Sequence, residues 1–204
     1  MAPQIIALLG SPRPKGNTAK LMNEAIRGIR DAGCVVETVH VPRLKFSPCK
    51  EILYCQEHAA CAMTDDVTPY LETFRDIDGL IVATPVMTMG IPGALKSFMD
   101  RFQVFFMAKY FRHEPLVSPE KKAHRRTLFL SIGGQNIEHD FDGLIVSMKA
   151  FCDIIDCPYW GEVLQNNMDE VIDITTRPEV MKAAYEKGYR MGELIIRDMA
   201  DKQT

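Results

Sequence analysis

The chain has 204 residues, 47% hydrophobic and 25% charged, with a formal net charge of −3 and a pI near 6.0. That suffices for one well-cored domain carrying an elaborated loop, and leaves little room for two independent ones. The near-balanced charge excludes the basic footprint of a nucleic-acid binder. The opening MAPQIIALLG lacks the basic start of a signal peptide, and no run reaches the roughly 18 apolar residues a membrane helix needs. A cytoplasmic, reducing setting is therefore expected, where disulfides are not the default state of the six cysteines.

Short β-branched apolar runs alternate with longer amphipathic stretches. QIIALLG reads as a first strand, followed by a helix from about Asn17 and then by CVVETVHV as a second strand containing Cys34. A helix near Asp66 to Asp76, the strand GLIVAT and a helix after Pro92 come next. TLFLSIGG, a helix from about Phe141 to Ile155 carrying Cys152, the strand YWGEVLQ just after Cys157, and a last helix from about Pro178 to Met199 complete the series. Strand-helix alternation of this kind predicts a five-stranded parallel sheet, doubly wound, in a three-layer α/β/α architecture. FMDRFQVFFMAKYF, residues 98–111, has more apolar residues than one helix face against a sheet requires; a subunit interface or the following loop folding back would cover the excess. KKAHRR, residues 121–126, reads as a solvated loop entering a strand, with attraction of a cofactor's extra phosphate as the alternative.

In doubly wound sheets ligands bind beyond the carboxyl ends of the strands, where strand order reverses. The loop after the first strand, GSPRPKGNTAKL, leads into a helix whose free N–H groups suit an anion. Ser11, Asn17 and Thr18 add hydrogen-bonding side chains, Arg13 and Lys15 add charge, and Gly16 lets the backbone curl; a tight turn with Asn17 as helix cap is the plainer reading. It matches neither a Walker loop nor a dinucleotide fingerprint. After the third strand, Thr84, Pro85, Val86, Met87, Thr88 and Met89 can border a flat ring, or simply connect strand to helix. After the fourth, Ser131, Gly133 and Gly134 permit close approach to the ring's other face. Asp140 is expected to cap the next helix, with His139 beside it as a candidate for contact with substrate.

GSPRPKGNT, the Cys49 region followed by DDV, DGLIVATPV with IPGALKSFMDR, and SIGG together resemble flavodoxin-fold flavoproteins of the NADPH-dependent FMN reductase and iron-sulfur flavoprotein group, over about residues 10–134. The resemblance implies one flavodoxin-like FMN-binding domain over residues 1–204, with a cysteine-containing loop at about 43–64. It implies that Ser11, Arg13, Asn17 and Thr18 hold the FMN phosphate, that Thr84 to Met89 border the isoalloxazine, and that Gly133 and Gly134 flank it. Met87 stands where relatives often carry Tyr.

In the iron-sulfur members, the loop after the second strand resembles C-x2-C-x2-C with a fourth cysteine further on. Cys49, Cys55 and Cys61 occupy three of those slots, and Ile52, which cannot coordinate iron, occupies the second. His58 offers a substitute, making a Cys3His set of a kind zinc accepts. A metal-free segment, an iron-sulfur cluster, zinc and a thiol switch are the open readings.

The resemblance implies an oxidoreductase passing hydride from NAD(P)H to FMN and then to a small acceptor such as a quinone or flavin. The alternatives are an electron-transfer flavoprotein fed by a redox protein, with a cluster at Cys49–Cys61, and a non-flavin scaffold on the same fold. With a flavin carrying the chemistry no catalytic acid or nucleophile is required, and the sequence presents no convincing triad. A homodimer or homotetramer is expected, without nucleic-acid or membrane partners.

Overall fold

The computed structural model describes residues 2–201, so both extreme ends of the expected 1–204 unit lie outside the described residues. Five strands, β1 (Gln4–Leu9), β2 (Val35–His40), β3 (Gly79–Pro85), β4 (Arg126–Ile132) and β5 (Tyr159–Gln165), form one all-parallel sheet in the order β2-β1-β3-β4-β5. Its helices are α1 (Asn17–Asp31), α2 (Thr68–Asp76), α3 (Gly93–Asp100), α4 (Gln103–Tyr110), α5 (Pro119–His124), α6 (Asp142–Ile154) and α7 (Pro178–Ala200). This is the flavodoxin-like, doubly wound arrangement expected from the strand-helix rhythm.

Because successive strand side chains point to opposite faces, the near-continuous apolar strands feed two cores at once. Ile6, Leu8, Leu80, Val82 and Phe129 face one core, with α2, α3, α4 and α6. Ile5, Ala7, Leu9, Ile81 and Leu128 face the other, with α1 and α7. The long helices α1 and α7 cross at glycine. A Cβ at Gly28 would lie 2.1 Å from the Tyr185 carbonyl oxygen, and one at Gly188 would lie 2.2 Å from that of Ala25.

Three expectations are corrected here. Cys34 stands one residue before β2 rather than in it; it is buried, and burial pushes its thiol up to about 11. Residues 98–111 form two helices, broken at Arg101 and Phe102, so they turn more apolar surface inward than one helix could. Phe98, Phe102 and Phe105 are fully buried, and Leu116 brings the following loop back to the same core. Tyr110 and Phe111 remain exposed.

KKAHRR is not a solvated loop. Its first four residues end α5, and each basic side chain finds a partner. Lys121 donates to the Asp76 carbonyl (2.7 Å), Lys122 pairs with Asp156 (2.7 Å), His124 with Asp78 (3.0 Å) and Arg126 with Asp198. Arg125 is buried, donating to the carbonyls of Phe74 (2.7 Å) and Ile155 (3.3 Å). Since β4 starts at Arg126, this seam lies at the amino end of the sheet, opposite the rim where doubly wound sheets bind ligands. Among the described residues no helix is long and apolar enough to cross a membrane.

Gly188→Ala tests the helix crossing. Alanine is the better helix former by about 1 kcal/mol, but here its methyl meets rigid backbone, so overpacking dominates and a net loss of about 1–3 kcal/mol is expected. Urea denaturation should show a lower midpoint with an unchanged slope.

Candidate functional site

The chain leaves β1 on one side for β2 and returns on the other for β3, so strand order reverses beside β1. Backbone hydrogen bonds join the loops at that rim: the Gly10 N–H donates to the Ala83 carbonyl (2.8 Å) and the Val86 N–H to that of Ile132 (2.8 Å).

At the end of β1 the Arg13 N–H donates to Ser11 Oγ (3.2 Å) and the Gly16 N–H to the Arg13 carbonyl (3.2 Å), winding the chain into α1. Helix α1 opens at Gly16 with no side chain capping its N–H groups, which leaves its positive end available to an anion. Arg13 and Lys15 are exposed beside it, while Ser11 and Thr18 are buried. Asn17 does not act as a cap. Its amide donates to the Ile172 carbonyl (3.1 Å) and accepts from the Ile174 N–H (3.2 Å), fastening residues 172–174 to the start of α1. Lys20 repeats the fastening through Asp173 (2.7 Å), and that ion pair, helped by Thr175, holds the Asp173 carboxyl down to about 2. His40, at the end of β2, reaches the Ser11 carbonyl (2.8 Å). Sequence reasoning missed Lys20, His40 and Asp173, because only the fold brings the last two to this loop.

After β3, Met87 and Gly90 exchange backbone hydrogen bonds at 3.0 Å around a two-residue turn. Thr88 and Met89 both take left-handed backbone, at φ +50° and +57°, as this turn type demands, although neither is a residue that favours it. Met87, Thr88 and Met89 are exposed, and Pro85 and Val86 half-buried. Thr84 and Ser131 stand elsewhere than expected. Both are fully buried within the sheet, where Ser131 Oγ donates to the Thr84 carbonyl (2.9 Å), so they support the rim rather than line it.

The glycines after β4 are also occupied differently. A Cβ on Gly133 would lie 1.9 Å from Asp140 Oδ2, and one on Gly134 2.6 Å from Asp169 Oδ1, so two carboxyl groups already fill the space these glycines open. Asp140 does not cap α6, which starts after Phe141 without a side-chain cap; it is 5% exposed, and burial pushes its carboxyl above the ordinary value. His139 points away, exposed, and pairs with Asp142 (2.9 Å) and Glu138 (3.3 Å). An open cleft of about 410 Å³ results, walled by Val86, Thr88 and Met89 on one side and by Gly134, Asp140 and Asp169 on the other.

Residues 3–137 match the family model described as NADPH-dependent FMN reductase. The chain belongs to the NADPH-dependent FMN reductase family. It is similar to an iron-sulfur flavoprotein of Methanocaldococcus jannaschii, at 36% identity over 48% of this chain and 51% of the relative. It is also similar to an FMN reductase (NADPH) of Escherichia coli, at 33% identity over 48% of this chain and 47% of that one. The chain spans about half the length of these curated relatives. The fold is shared with the solved NAD(P)H:quinone oxidoreductase from Methanothermobacter marburgensis, at a TM-score of 0.70 and 18% identity over 94% of this chain and 98% of that one.

Within this family member the loop after β2 is built around a buried arginine. Arg101 donates to Asp65 (2.5 Å), to the carbonyls of Ser47 (3.1 Å) and Met63 (3.2 Å), and to Cys61 Sγ (3.5 Å). Arg112 donates to the Cys55 carbonyl. The three cysteines line one small apolar cavity of about 80 Å³, together with Leu53, Met63 and Met107. Burial pushes the Cys55 thiol up, and Cys49 and Cys61 lie near enough to push it further. His58 does not join them: its ring stacks on Tyr54 at 3.8 Å, and Nδ1 meets the Tyr54 carbonyl (3.1 Å). Among the described residues no three His, Cys, Asp or Glu side chains are gathered closely enough for a metal ion, so the Cys3His alternative is not formed. Ile52, in the second slot, is exposed. The donor set does not fit a four-thiolate cluster.

Thr88→Asn should stabilise the protein by about 1 kcal/mol in thermal or urea unfolding, by replacing a β-branched residue in left-handed backbone with one that tolerates it. The loop after β2 has its own pH signature. Burial acts to raise the Asp65 carboxyl, but Arg101 and the N–H groups of Val67 and Ser47 outweigh it and hold it below the ordinary value. The folded value lies below the unfolded one, so this stabilisation is complete above the ordinary aspartate range and is lost as pH falls through the folded value. Arg101→Met, which strands Asp65, is expected to cost about 3 kcal/mol at neutral pH, to speed proteolysis within residues 45–65, and to flatten the acid limb of stability against pH.

Proposed function

We propose that the protein is an FMN-dependent oxidoreductase that takes hydride from NAD(P)H and passes the electrons to a small acceptor such as a quinone or flavin. The observation that carries this reading is the uncapped start of α1, flanked by exposed Arg13 and Lys15, on the same sheet rim as the cleft between the 86–89 turn and Gly134. Family membership and the names of the relatives support it.

The residues present fit a phosphate-bearing planar ring. The first-turn N–H groups of α1 and the cations of Arg13 and Lys15 would hold the phosphate, while Ser11 and Asn17 brace the loop that presents them. Val86 to Met89 would border the ring, with exposed Met87 and Met89 beside a face open to a nicotinamide. FMN, when bound, supplies the hydride and electron chemistry. The tight 87–90 turn keeps that wall in place, and the buried Thr84–Ser131 bond keeps the strands beneath it in register.

A second reading, electron transfer from a protein donor, is supported by the iron-sulfur flavoproteins among the relatives and by the one cavity that Cys49, Cys55 and Cys61 line together, although those residues do not fit a four-thiolate cluster. Assembly as a homodimer or homotetramer belongs to the proposal, with exposed Tyr110 and Phe111 of the α4 end as surface to be covered; light scattering at micromolar concentration tests it.

The deciding experiment is anaerobic purification, a visible spectrum with an iron assay, FMN titration, and NADPH and NADH oxidation by the pure protein. Quenching of FMN fluorescence with stoichiometric NAD(P)H oxidation is the expected result. Arg13→Ala should weaken FMN by roughly tenfold and leave riboflavin, which lacks the phosphate, nearly unchanged. Iron-dependent absorption, with flavin bleaching only through a protein donor, would replace the first reading by the second.

A further inference from the structure

The least explained group at the rim is the Asp140 carboxyl. It is 5% exposed, and its Oδ2, pressed against Gly133, has no hydrogen-bond partner among the described residues. An ionised carboxylate in that position would lack the N–H donors or the cation that buried charge requires. None of the charged groups around it offers a countercharge within hydrogen-bonding reach. Asp169, on the segment packed against Gly134, lines the same cleft, and the 86–89 turn and Gly133 bring no charge. On its own segment Glu138, His139 and Asp142 are exposed and pair among themselves. Of the buried side-chain atoms without a partner among the described residues, Asp140 Oδ2 is the one carboxylate oxygen, and it stands at the edge of the cleft beside the 86–89 turn, which is the arrangement a ligand completes.

We propose that Asp140 donates a hydrogen bond from its carboxyl group to a carbonyl or imine acceptor on the polar edge of the ring bound in this cleft. The proposal rests on the flavin reading and assigns it a residue that sequence patterns assign to helix capping. Burial keeping the carboxyl above its ordinary value agrees with it, since the neutral form persists to higher pH than that of a solvated aspartate. Gly133 then has a specific purpose: any side chain there would occupy the place of Oδ2.

The test compares FMN and riboflavin affinity, by fluorescence quenching from acid to alkaline pH, in the wild type, Asp140→Asn and Asp140→Ala. Wild-type affinity should hold while the carboxyl is neutral and fall roughly tenfold as it ionises, the loss of one charge-sensitive hydrogen bond. Asp140→Asn keeps a neutral donor and should be insensitive over the same range; Asp140→Ala should be weaker at every pH. Riboflavin removes the titration of the phosphate itself. Infrared difference spectra of the wild type with 13C-labelled aspartate supply a reading that does not depend on the variants folding: a protonated carboxyl band is expected, displaced when FMN binds. Identical pH profiles for the wild type and Asp140→Asn, or a protonated band absent or unmoved by FMN, would overturn the assignment while leaving FMN binding intact. A wild type that binds neither flavin at any pH overturns the flavin reading, and this inference with it.

Discussion

A parallel sheet covered on both faces has only its two rims left for chemistry. The apolar residues from Ile5 to Leu9 of β1 and from Leu80 to Ala83 of β3 are committed to one core or the other, and the two cores are fed by alternate residues of the same strands. The reversal of strand order beside β1 then parts the loops at the carboxyl rim and opens a place between them. The Gly10–Ala83 and Val86–Ile132 backbone bonds lock those loops to neighbouring strands, so the cleft inherits the rigidity of the sheet.

Charge is divided between the two rims. At the amino end nearly all of it is neutralised in place: Asp78 receives the Gln4 N–H (2.8 Å) and His124, Arg125 serves two carbonyls, and Lys122 and Lys109 share Asp156. At the carboxyl end Arg13 and Lys15 stay exposed, and Asp140 stays without a partner among the described residues. Paired charge holds elements together and leaves little for a ligand, whereas unpaired charged and polar groups at a rim carry an unmet demand that a ligand can meet.

The loop after β2 obeys a different rule, because it has almost no regular structure of its own. Arg101 replaces that structure with hydrogen bonds to Asp65, two carbonyls and a thiol, and Glu51 and Leu53 accept left-handed backbone so that the chain can curl over the cysteines. This scaffold keeps three thiols around one cavity even though the second slot is Ile52. Shape and ligand set have come apart here: arginine and backbone hydrogen bonds hold the loop around a cysteine set that lacks its second thiolate.

Strand-helix rhythm determined the architecture, because the periods of 2 and 3.6 are local properties and a parallel sheet needs near-continuous apolar strands. The same locality made the loops after β1, β3 and β4 legible, since glycine, proline and hydroxyl residues declare turns and helix starts on their own. What the sequence could not declare were roles set by partners distant in the chain. Asn17 reads as a cap and binds residues 172 and 174; Ser131 reads as a ring contact and is sealed against Thr84. KKAHRR reads as solvated and is paired side chain by side chain, and Gly133 reads as open space and is filled by Asp140. Residue type and spacing determine which bonds a side chain is able to make; only the packing of the sheet and its helices decided which partner arrived first.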